Sequence, residues 1–171
     1  DEIGGFLRTL TDYLHTEIPG SEVSFASPAI DWGNRWDFAE VAASCDYLFV
    51  MGYAFSGSWS GNAGPTAPLT GPGRTITTML SDDRDYGQVT RDYPEKLILG
   101  VPYYGCKWKT LDGESGASVE EFVNYPRLRD AVRQAVDWGL RWDQASQTVW
   151  YRFQDGEQWI QAWFDDMASL K

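Results

Sequence analysis

Two runs of hydrophobic residues dominate the pattern of this chain. Residues 46–55 read DYLFVMGYAF, and residues 96–108 read KLILGVPYYGCKW. Each run begins without the polar alternation of a strand that has one face in water. Such runs are typical of strands buried on both faces of a parallel sheet. Each run then changes to aromatic and small residues, where we expect the strand to end.

Helical periodicity and turn residues predict the elements around the first of these strands. Hydrophobic residues recur at helical spacing from Ile3 to Leu14, and Pro19-Gly20 ends that helix. The predicted elements are a helix over residues 5–17, a short strand within residues 21–32, a helix over residues 37–44, a loop rich in Gly, Pro, Ser and Thr over residues 57–73, and a helix over residues 74–80.

The residue pattern in the last third of the chain predicts one more helix and a hairpin. Residues 126–138 form a helical pattern with proline near its start and Gly139 just past its end. Residues 148–153 and 157–164 are predicted as two short strands around a turn at Asp155-Gly156.

The order of these elements predicts an α/β fold. Hydrophobic strands alternate with helices, and a length of 171 residues suits a single domain over residues 1–171. Three parallel strands cannot close a barrel, and the pattern begins and ends on helices. We therefore expect a portion of a larger α/β fold, incomplete as given.

The charge composition limits the kinds of partner. The formal net charge is -11 at pH 7, and Lys and Arg do not cluster on one predicted face. Binding to a phosphate backbone needs a basic surface, so we expect no nucleic-acid partner. No apolar run approaches the roughly 18 residues of a membrane span, so we expect no membrane partner. A neutral or cationic ligand fits this charge better.

Cysteine and histidine usage predicts neither a disulfide nor a metal site. Cys45 precedes one predicted strand and Cys106 follows the other, which would hold them roughly 20 Å apart on neighbouring strands. We expect two free thiols. His15 lies in a helical pattern with no second ligand type near it, so we expect it on the surface. We expect no metal and no cofactor.

Several motifs together resemble the family 18 glycoside hydrolases. Neither strand motif is decisive alone, but the resemblance covers essentially the whole chain. The family's sixth strand and its loop are matched by Met51-Gly52-Tyr53 with Trp59, Gly61, Gly64 and Ala67-Pro68-Leu69. Its seventh strand is matched by residues 96–108. The segment before its eighth strand is matched by Arg141-Trp142-Asp143, Trp150, Asp165-Asp166 and Ser169-Leu170-Lys171.

The resemblance implies a (β/α)₈ TIM barrel, of which this chain would carry about strands 5 to 7 and the following hairpin. Family members are chitinases and related hydrolases. They cleave β-linked N-acetylglucosamine polymers by a substrate-assisted retaining route. A Glu on the fourth strand protonates the leaving oxygen, and the substrate's acetamide attacks. That acid is expected upstream of Asp1, outside this chain.

Two other interpretations stay open. One is a chitinase-like carbohydrate-binding protein that keeps the aromatic cleft without cleavage. The other is an unrelated α/β domain that shares these strand endings. A pattern Asp-x-Asp-x-Glu upstream would favour the enzyme, and loss of its Glu would favour the binding protein.

The resemblance also implies the partners and the location. The expected ligand is an oligo- or polysaccharide containing N-acetylglucosamine: chitin, chitooligosaccharides or cell-wall glycan. The implied location is extracellular or cell-wall associated, although the chain starts without a signal-peptide pattern. We expect the isolated chain to be inactive. We also expect it to self-associate, or to pair with the missing portion of the barrel, through unpaired strand edges.

Tyr53 is the catalytic candidate that the resemblance implies. The matching tyrosine donates a hydrogen bond to the acetamide as charge develops on it. The alternative is a packed tyrosine whose hydroxyl bonds a backbone carbonyl. Ala54 departs from the family pattern Met-x-Tyr-Asp, so a carboxylate expected beside the acid is absent.

The substrate-binding candidates include three aromatic residues. Aromatic rings at a cleft rim stack on the apolar faces of sugars. Trp108 ends the second strand run, and Trp59 lies in the Gly-rich loop, where its ring meets either a ligand or a neighbouring loop. Side chains alternate along a strand, so only one of Tyr103 and Tyr104 should point inward, and we expect Tyr103.

Met51 and Asp31 complete the substrate-binding candidates. Met51 either lines the pocket or fills the core. Asp31 follows the first strand and either bonds a sugar hydroxyl or caps a turn. Asp165 and Asp166 are interpreted as helix N-cap residues rather than as an acid/base pair.

Overall fold

The structure is a computed structural model and describes residues 2–170. The chain divides into two compact units. Unit 1 comprises Asp1–Gly52 and Thr77–Gly100, and unit 2 comprises Tyr53–Ile76 and Val101–Lys171. Each unit is therefore built from two separate stretches of chain.

Unit 1 is a three-stranded parallel sheet with helices. Its strands pair in the order β1-β2-β3, and Val50 lies opposite Ser27 and Leu99. The elements are α1 (Glu2–Glu17), β1 (Ser24–Pro28), α2 (Phe38–Ser44), β2 (Tyr47–Met51), α3 (Ile76–Ser81, whose first residue belongs to unit 2), α4 (Gly87–Asp92), a 3₁₀ turn (Pro94–Lys96) and β3 (Leu97–Gly100).

Side chains of β2 alternate between a buried and an exposed face. Leu48 and Val50 are buried, whereas Phe49 between them is exposed, as is its register partner Ile98 on β3. The prediction of strands buried on both faces is therefore wrong for the described residues. Successive side chains of a strand point to opposite faces, so the face that carries Leu48 and Val50 is buried and the face that carries Phe49 and Ile98 is exposed.

Local capping explains where helix α2 begins. The Asp37 carboxylate accepts a hydrogen bond of 2.9 Å from the Glu40 N–H, so α2 starts at the predicted place. Helix α1 extends to Glu2, three residues before its predicted start. Helix α4 was not predicted, because residues 87–92 are mostly polar.

Unit 2 is dominated by a five-stranded antiparallel sheet in the order β5-β4-β8-β7-β6. Its strands are β4 (Cys106–Thr110), β5 (Val119–Asn124), β6 (Arg141–Asp143), β7 (Thr148–Asp155) and β8 (Gln158–Phe164), and its helix is α5 (Leu128–Trp138). The run over residues 96–108 contains two strands, and the second of them, β4, was not predicted. Pro102 and Gly105 interrupt the run, so β3 belongs to one sheet and β4 to another.

The hairpin and the helix predicted near the end of the chain are confirmed. Asp155 pairs with Gln158 across a two-residue turn, in which Gly156 has φ +63°. Helix α5 ends at Gly139, which has φ +86° and whose N–H donates to the Ala135 carbonyl. The hairpin is the centre of a wider sheet, because β4 pairs with β8 and β6 pairs with β7.

The cysteines and the histidine lie in the environments that the sequence predicts. Both Cys45 and Cys106 are free, buried thiols. His15 is exposed, and its Nε2 lies 3.0 Å from the Asp46 carboxylate. None of the helices formed by residues 2–170 combines the length and the hydrophobicity needed to cross a membrane.

Candidate functional site

Three tyrosines meet in unit 2 and form what we call the tyrosine cluster: Tyr53, Tyr104 and Tyr125. The rings of Tyr53 and Tyr104 contact edge to face, with centroids 6.1 Å apart. Tyr104 contacts Tyr125 in the same way at 5.7 Å. The Gly105 N–H donates to the Pro126 carbonyl at 2.9 Å, which holds the segment before β4 against the segment before α5. Tyr53 lies two residues after the end of β2, and Tyr104 lies four residues after the end of β3.

The phenols of this cluster are suited to donating hydrogen bonds. Burial raises the pKa of Tyr104 to about 12, with smaller contributions from Cys106 and the neighbouring phenols. Tyr104 therefore keeps its proton at neutral pH. Tyr53 is half-buried, and within residues 2–170 its hydroxyl has no hydrogen-bond partner. A bond from Tyr53 to a backbone carbonyl, the structural alternative, is not present there. Its catalytic role stays a prediction.

The choice between the paired tyrosines was wrong. Tyr104 packs against Tyr53, whereas the Tyr103 side chain is 78% exposed. Alternation does not carry over from β3, because the strand ends at Gly100 and residues 101–105 are not strand. The backbone of Tyr103 is fixed instead by its carbonyl, which accepts a hydrogen bond of 3.0 Å from the Leu128 N–H.

Trp108 lies beneath the Gly-rich loop and not at a rim. Its side chain is 0% exposed and packs against Phe122, and its Nε1 donates to the Gly57 carbonyl at 3.2 Å. The prediction that the Trp108 ring is available for stacking on a sugar is therefore wrong. The indole is buried because β4 is a central strand of the antiparallel sheet, and Trp108 faces the loop.

Trp59 is the residue that this loop displays. Its ring is 64% exposed and lies against Gly57, where an added Cβ would come within 2.5 Å of the ring. The loop is held at two further points. The Gly57 N–H donates to the Ser60 hydroxyl at 3.0 Å, and the Ser58 N–H donates to the Tyr125 hydroxyl at 3.1 Å. A side chain of the tyrosine cluster therefore fixes the loop that presents Trp59.

The remaining two candidates, Met51 and Asp31, belong to unit 1. Met51 is partly buried at the end of β2, opposite Pro28 and Gly100. The Asp31 carboxylate accepts hydrogen bonds from the Trp36 N–H at 3.0 Å and the Gly33 N–H at 3.2 Å. Partial burial opposes ionisation, but these backbone donors hold the pKa of Asp31 below its ordinary value. The carboxylate caps a turn, the alternative role that its position indicated.

Ala54 adopts a backbone conformation that alanine rarely takes. Its φ is +64°, in the left-handed region, and its side chain is exposed. This conformation costs an L-residue roughly 1–2 kcal/mol, and Asp and Asn tolerate it better than other residues with a side chain. The backbone beside Tyr53 is therefore suited to the Asp that the resemblance expects at this position.

Asp165 is a feature of the site that sequence reasoning missed. Its side chain is 1% exposed, and its Oδ2 has no hydrogen-bond partner in the described part of the chain. Burial raises the pKa of Asp165 to about 7. Its charge contributes to the raised pKa values of both Tyr104 and Cys106. The sequence signal for this buried carboxyl was the run of hydrophobic strand residues that ends directly at Asp165-Asp166.

Only the second of the two adjacent carboxylates is a cap. The Asp166 Oδ1 accepts hydrogen bonds from the Ala168 N–H at 2.8 Å and the Ser169 N–H at 3.1 Å. The Asp166 carboxylate therefore caps a turn over residues 166–170 rather than a helix, and the Asp165 carboxylate is buried.

A cleft of about 380 Å³ opens in unit 2 beside the Gly-rich loop. Phe55 and Ser56, two and three residues after Tyr53, form part of its wall, and Asp143, Ala145 and Ser146 form another part. Its volume lies within the roughly 300–1,000 Å³ range of small-molecule sites. Within residues 2–170, no group of three or more His, Cys, Asp or Glu side chains is arranged to hold a metal ion.

The family model described as glycosyl hydrolases family 18 matches residues 6–171. The chain belongs to glycosyl hydrolase family 18. Di-N-acetylchitobiase of Homo sapiens is 26% identical over 195 residues, covering 99% of this chain and 48% of that protein. The chain spans about half or less of the length of the relatives it matches, with shares of 38%, 48% and 50% for three of them.

Solved structures of the family have the same fold over this length. A chitinase mutant from Cycas revoluta in complex with (GlcNAc)₄ superimposes with a TM-score of 0.76 at 19% identity, over 98% of this chain and 51% of that one. The chitinase-like agglutinin of Robinia pseudoacacia superimposes with a TM-score of 0.78 at 21% identity, over 98% and 52%. The mixed α/β fold of this chain thus corresponds to about half of the family's barrel fold.

Proposed function

We propose that this chain is the C-terminal part of a (β/α)₈ glycoside hydrolase that cleaves β-linked N-acetylglucosamine polymers. The substrates are chitin, chitooligosaccharides or the glycan strands of a cell wall, and the reaction is substrate-assisted with retention. The catalytic acid is supplied by sequence outside this chain. The proposal also places the protein outside the cell or at the cell wall.

The observation that carries this proposal is the Tyr53 phenol. It follows strand β2, it packs edge to face on Tyr104, and its hydroxyl is free of hydrogen bonds within the described residues. A phenol held at a fixed place can donate to an acetamide oxygen on which negative charge develops. In a site that excludes water, such a preorganised donor stabilises the transition state more than the ground state.

We assign a separate role to each tyrosine of the cluster. Tyr104 keeps its proton and supports the Tyr53 ring edge-on, which limits the orientations of the Tyr53 phenol. Tyr125 connects the cluster to the loop that displays Trp59. Trp59 then offers an exposed aromatic face on which a pyranose ring can stack.

Replacing Tyr53 by Phe in the whole protein tests the proposal. We expect turnover of chitooligosaccharides to fall by roughly 10²–10³, comparable with the loss of one oxyanion-hole donor. Stability should hardly change, because only one hydroxyl is lost. Tyr13→Phe, an exposed tyrosine on α1, is the matched control. Full activity of the Tyr53→Phe protein would assign the hydroxyl a structural role and overturn the proposal.

The alternative is a carbohydrate-binding protein without catalysis, and one observation favours it. Ala54 stands where the resemblance expects an Asp, so a carboxylate near the reaction is missing. The Robinia pseudoacacia agglutinin, a chitinase-like protein by its own description, superimposes well on this chain. Binding of N-acetylglucosamine oligomers by the whole protein without any release of shorter products would decide for this alternative.

A further inference from the structure

Two short segments of unit 2 pair side by side, one just before β4 and the other just before α5. The Gly105 N–H donates to the second segment at 2.9 Å, and the Leu128 N–H donates back to the first at 3.0 Å. These two bonds flank an antiparallel bridge between Tyr104 and Arg127. In such a pair the Cα atoms lie about 4.5 Å apart and the two side chains project from the same face. Arg127 therefore projects from the face that carries Tyr104.

The position of Tyr125 supports this placement of Arg127. Arg127 has extended backbone, with φ -63° and ψ 146°, and alternate residues of an extended segment share a face. The Tyr125 ring, two residues earlier, contacts the Tyr104 ring edge to face, and Tyr104 in turn contacts Tyr53. Arg127 therefore stands beside the tyrosine cluster, which holds the phenol that we propose as the catalytic donor.

The Arg127 side chain is exposed, and its guanidinium is not engaged by the protein. Within residues 2–170 it has neither a hydrogen-bond nor an ion-pair partner. The acid nearest to it in the sequence, Asp130, lies instead 3.4 Å from the Arg129 Nε. A guanidinium keeps its charge throughout the physiological pH range, and its planar fork of N–H donors matches a carboxylate. Both the charge and the donors of Arg127 are therefore available to a ligand.

The charge around Arg127 differs in sign from that of the whole chain. The chain has a net charge of -11, but residues 125–141 contain four arginines and two aspartates. Ala54, which follows Tyr53, is uncharged. Burial raises the pKa of Asp165 to about 7, so at lower pH this interior carboxyl is mostly neutral. Charges farther away than about 10 Å are largely screened at physiological ionic strength, so the local excess of arginine favours an anionic group here.

We propose that Arg127 is a specificity-determining residue that binds a carboxylate on the sugar, so that the preferred substrate is a glycan with acidic rings. This inference rests on the proposed function, since it takes the tyrosine cluster as the place where the sugar binds. Among the substrates proposed above, chitin carries no carboxylate, whereas cell-wall glycan carries a lactyl ether on alternate rings. An amide-linked peptide would cap that carboxylate, so the preferred strand is one without peptide.

Initial rates of the whole protein on two tetrasaccharides test this role: chitotetraose, and a peptide-free cell-wall tetrasaccharide with free lactyl carboxylates. We expect the wild type to prefer the second. Arg127→Gln should lower the ratio of the two kcat/KM values by about tenfold, mainly through KM, because a charge-assisted contact is lost. Arg127→Lys keeps the charge without the fork and should recover part of the ratio. Arg133→Gln, at an exposed position farther along α5, is the control and should keep the wild-type ratio.

The outcomes separate this inference from the proposed function. If the wild type cleaves chitotetraose but shows no preference for the carboxylated substrate, or if Arg127→Gln keeps that preference, the role of Arg127 is wrong and the proposed function stands. Reduction of the lactyl carboxylates to alcohols should abolish the preference of the wild type.

If neither tetrasaccharide is cleaved, the proposed function fails, and calorimetric Kd values for the same two ligands then decide the role of Arg127. Equal Kd values for the wild type would overturn that role. Tighter binding of the carboxylated ligand that is lost in Arg127→Gln would support the role in a protein without catalysis. Circular dichroism checks that each variant is folded.

Discussion

The Trp108 indole donates its only hydrogen bond to the Gly57 carbonyl, 51 residues earlier in the chain. This bond joins a buried residue of β4 to the loop that exposes Trp59, so one tryptophan supports the segment that displays another. The Gly57 carbonyl would lose its indole donor if Trp108 were replaced.

Trp108→Phe tests this support. We expect a loss of about 1–3 kcal/mol in the free energy of unfolding, from the missing hydrogen bond and the smaller ring. Urea unfolding measures it. Trp142→Phe, at an exposed position on the edge strand β6, is the control and should change stability little. Equal stability of the two variants would contradict the supporting role of Trp108.

Replacing Gly105 tests how closely the segment that carries Tyr104 packs against the end of β8. A Cβ added at Gly105 would collide with the backbone carbonyl of Trp163 and approach the Phe164 Cβ to 2.9 Å. Because backbone cannot move aside as a flexible side chain can, we expect Gly105→Ala to lower the free energy of unfolding by at least about 1–3 kcal/mol. Gly61→Ala is the control, since its added Cβ meets no atom within 4 Å. Thermal unfolding of both variants gives the comparison.

Ala54→Asp tests whether the missing carboxylate limits the reaction. The left-handed backbone at φ +64° accepts Asp, so the protein should fold normally. One charge-assisted hydrogen bond contributes about 1.5–3 kcal/mol, so we expect the turnover of chitooligosaccharides by the whole protein to rise by roughly tenfold or more. Ala54→Asn has the same shape without the charge and should not show this rise. An identical response of both variants would point to the backbone and not to the carboxylate.

Asp165 predicts a pH dependence of stability. The pKa of Asp165 is raised from 3.8 to about 7, so between these values the folded chain holds a proton that the unfolded chain releases. The contribution of this group to the free energy of unfolding therefore falls as the pH rises from about 4 to 7. Above pH 7 the full cost of burying the ionised carboxylate is reached. Replacement by Asn removes the ionisable group and should flatten this part of the profile.

Urea unfolding at pH 4.5, 6 and 8 measures this effect. The difference in free energy of unfolding between Asp165→Asn and the wild type should grow in favour of the variant as the pH rises. Asp12→Asn, an exposed position on α1, should follow the wild-type profile. Parallel profiles for wild type and Asp165→Asn would show that the Asp165 carboxyl titrates as an exposed group does.

The sequence predicted most of unit 1 and the end of unit 2. Asp37 as an N-cap, Gly139 after a helix and the Asp155-Gly156 turn are local signals, and local signals depend on few neighbours. The sequence did not predict that β4 belongs to the antiparallel sheet, because the pairing between β4 and β8 joins residues some 50 positions apart. No local pattern carries that information.

The sequence indicates Tyr53 and Trp59 as candidates, since aromatic residues after a strand or in a Gly-rich loop are conspicuous. Their roles stay predictions. The exposure of Tyr103 and the burial of Trp108 depend on which sheet each residue joins. The environment of Asp165 depends on residues from two segments, and no local pattern reports burial of that kind.

The two units interleave along the chain, because residues 53–76 and 101–171 belong to one unit and the stretch between them to the other. A cut after Gly100, at the end of the parallel sheet, would leave Gly57 on one fragment and its partner Trp108 on the other. The first fragment would contain all of unit 1, and unit 2 would be divided between the two fragments. Complementation of two such fragments in solution would then show whether the Gly-rich loop can bind β4 without a covalent link.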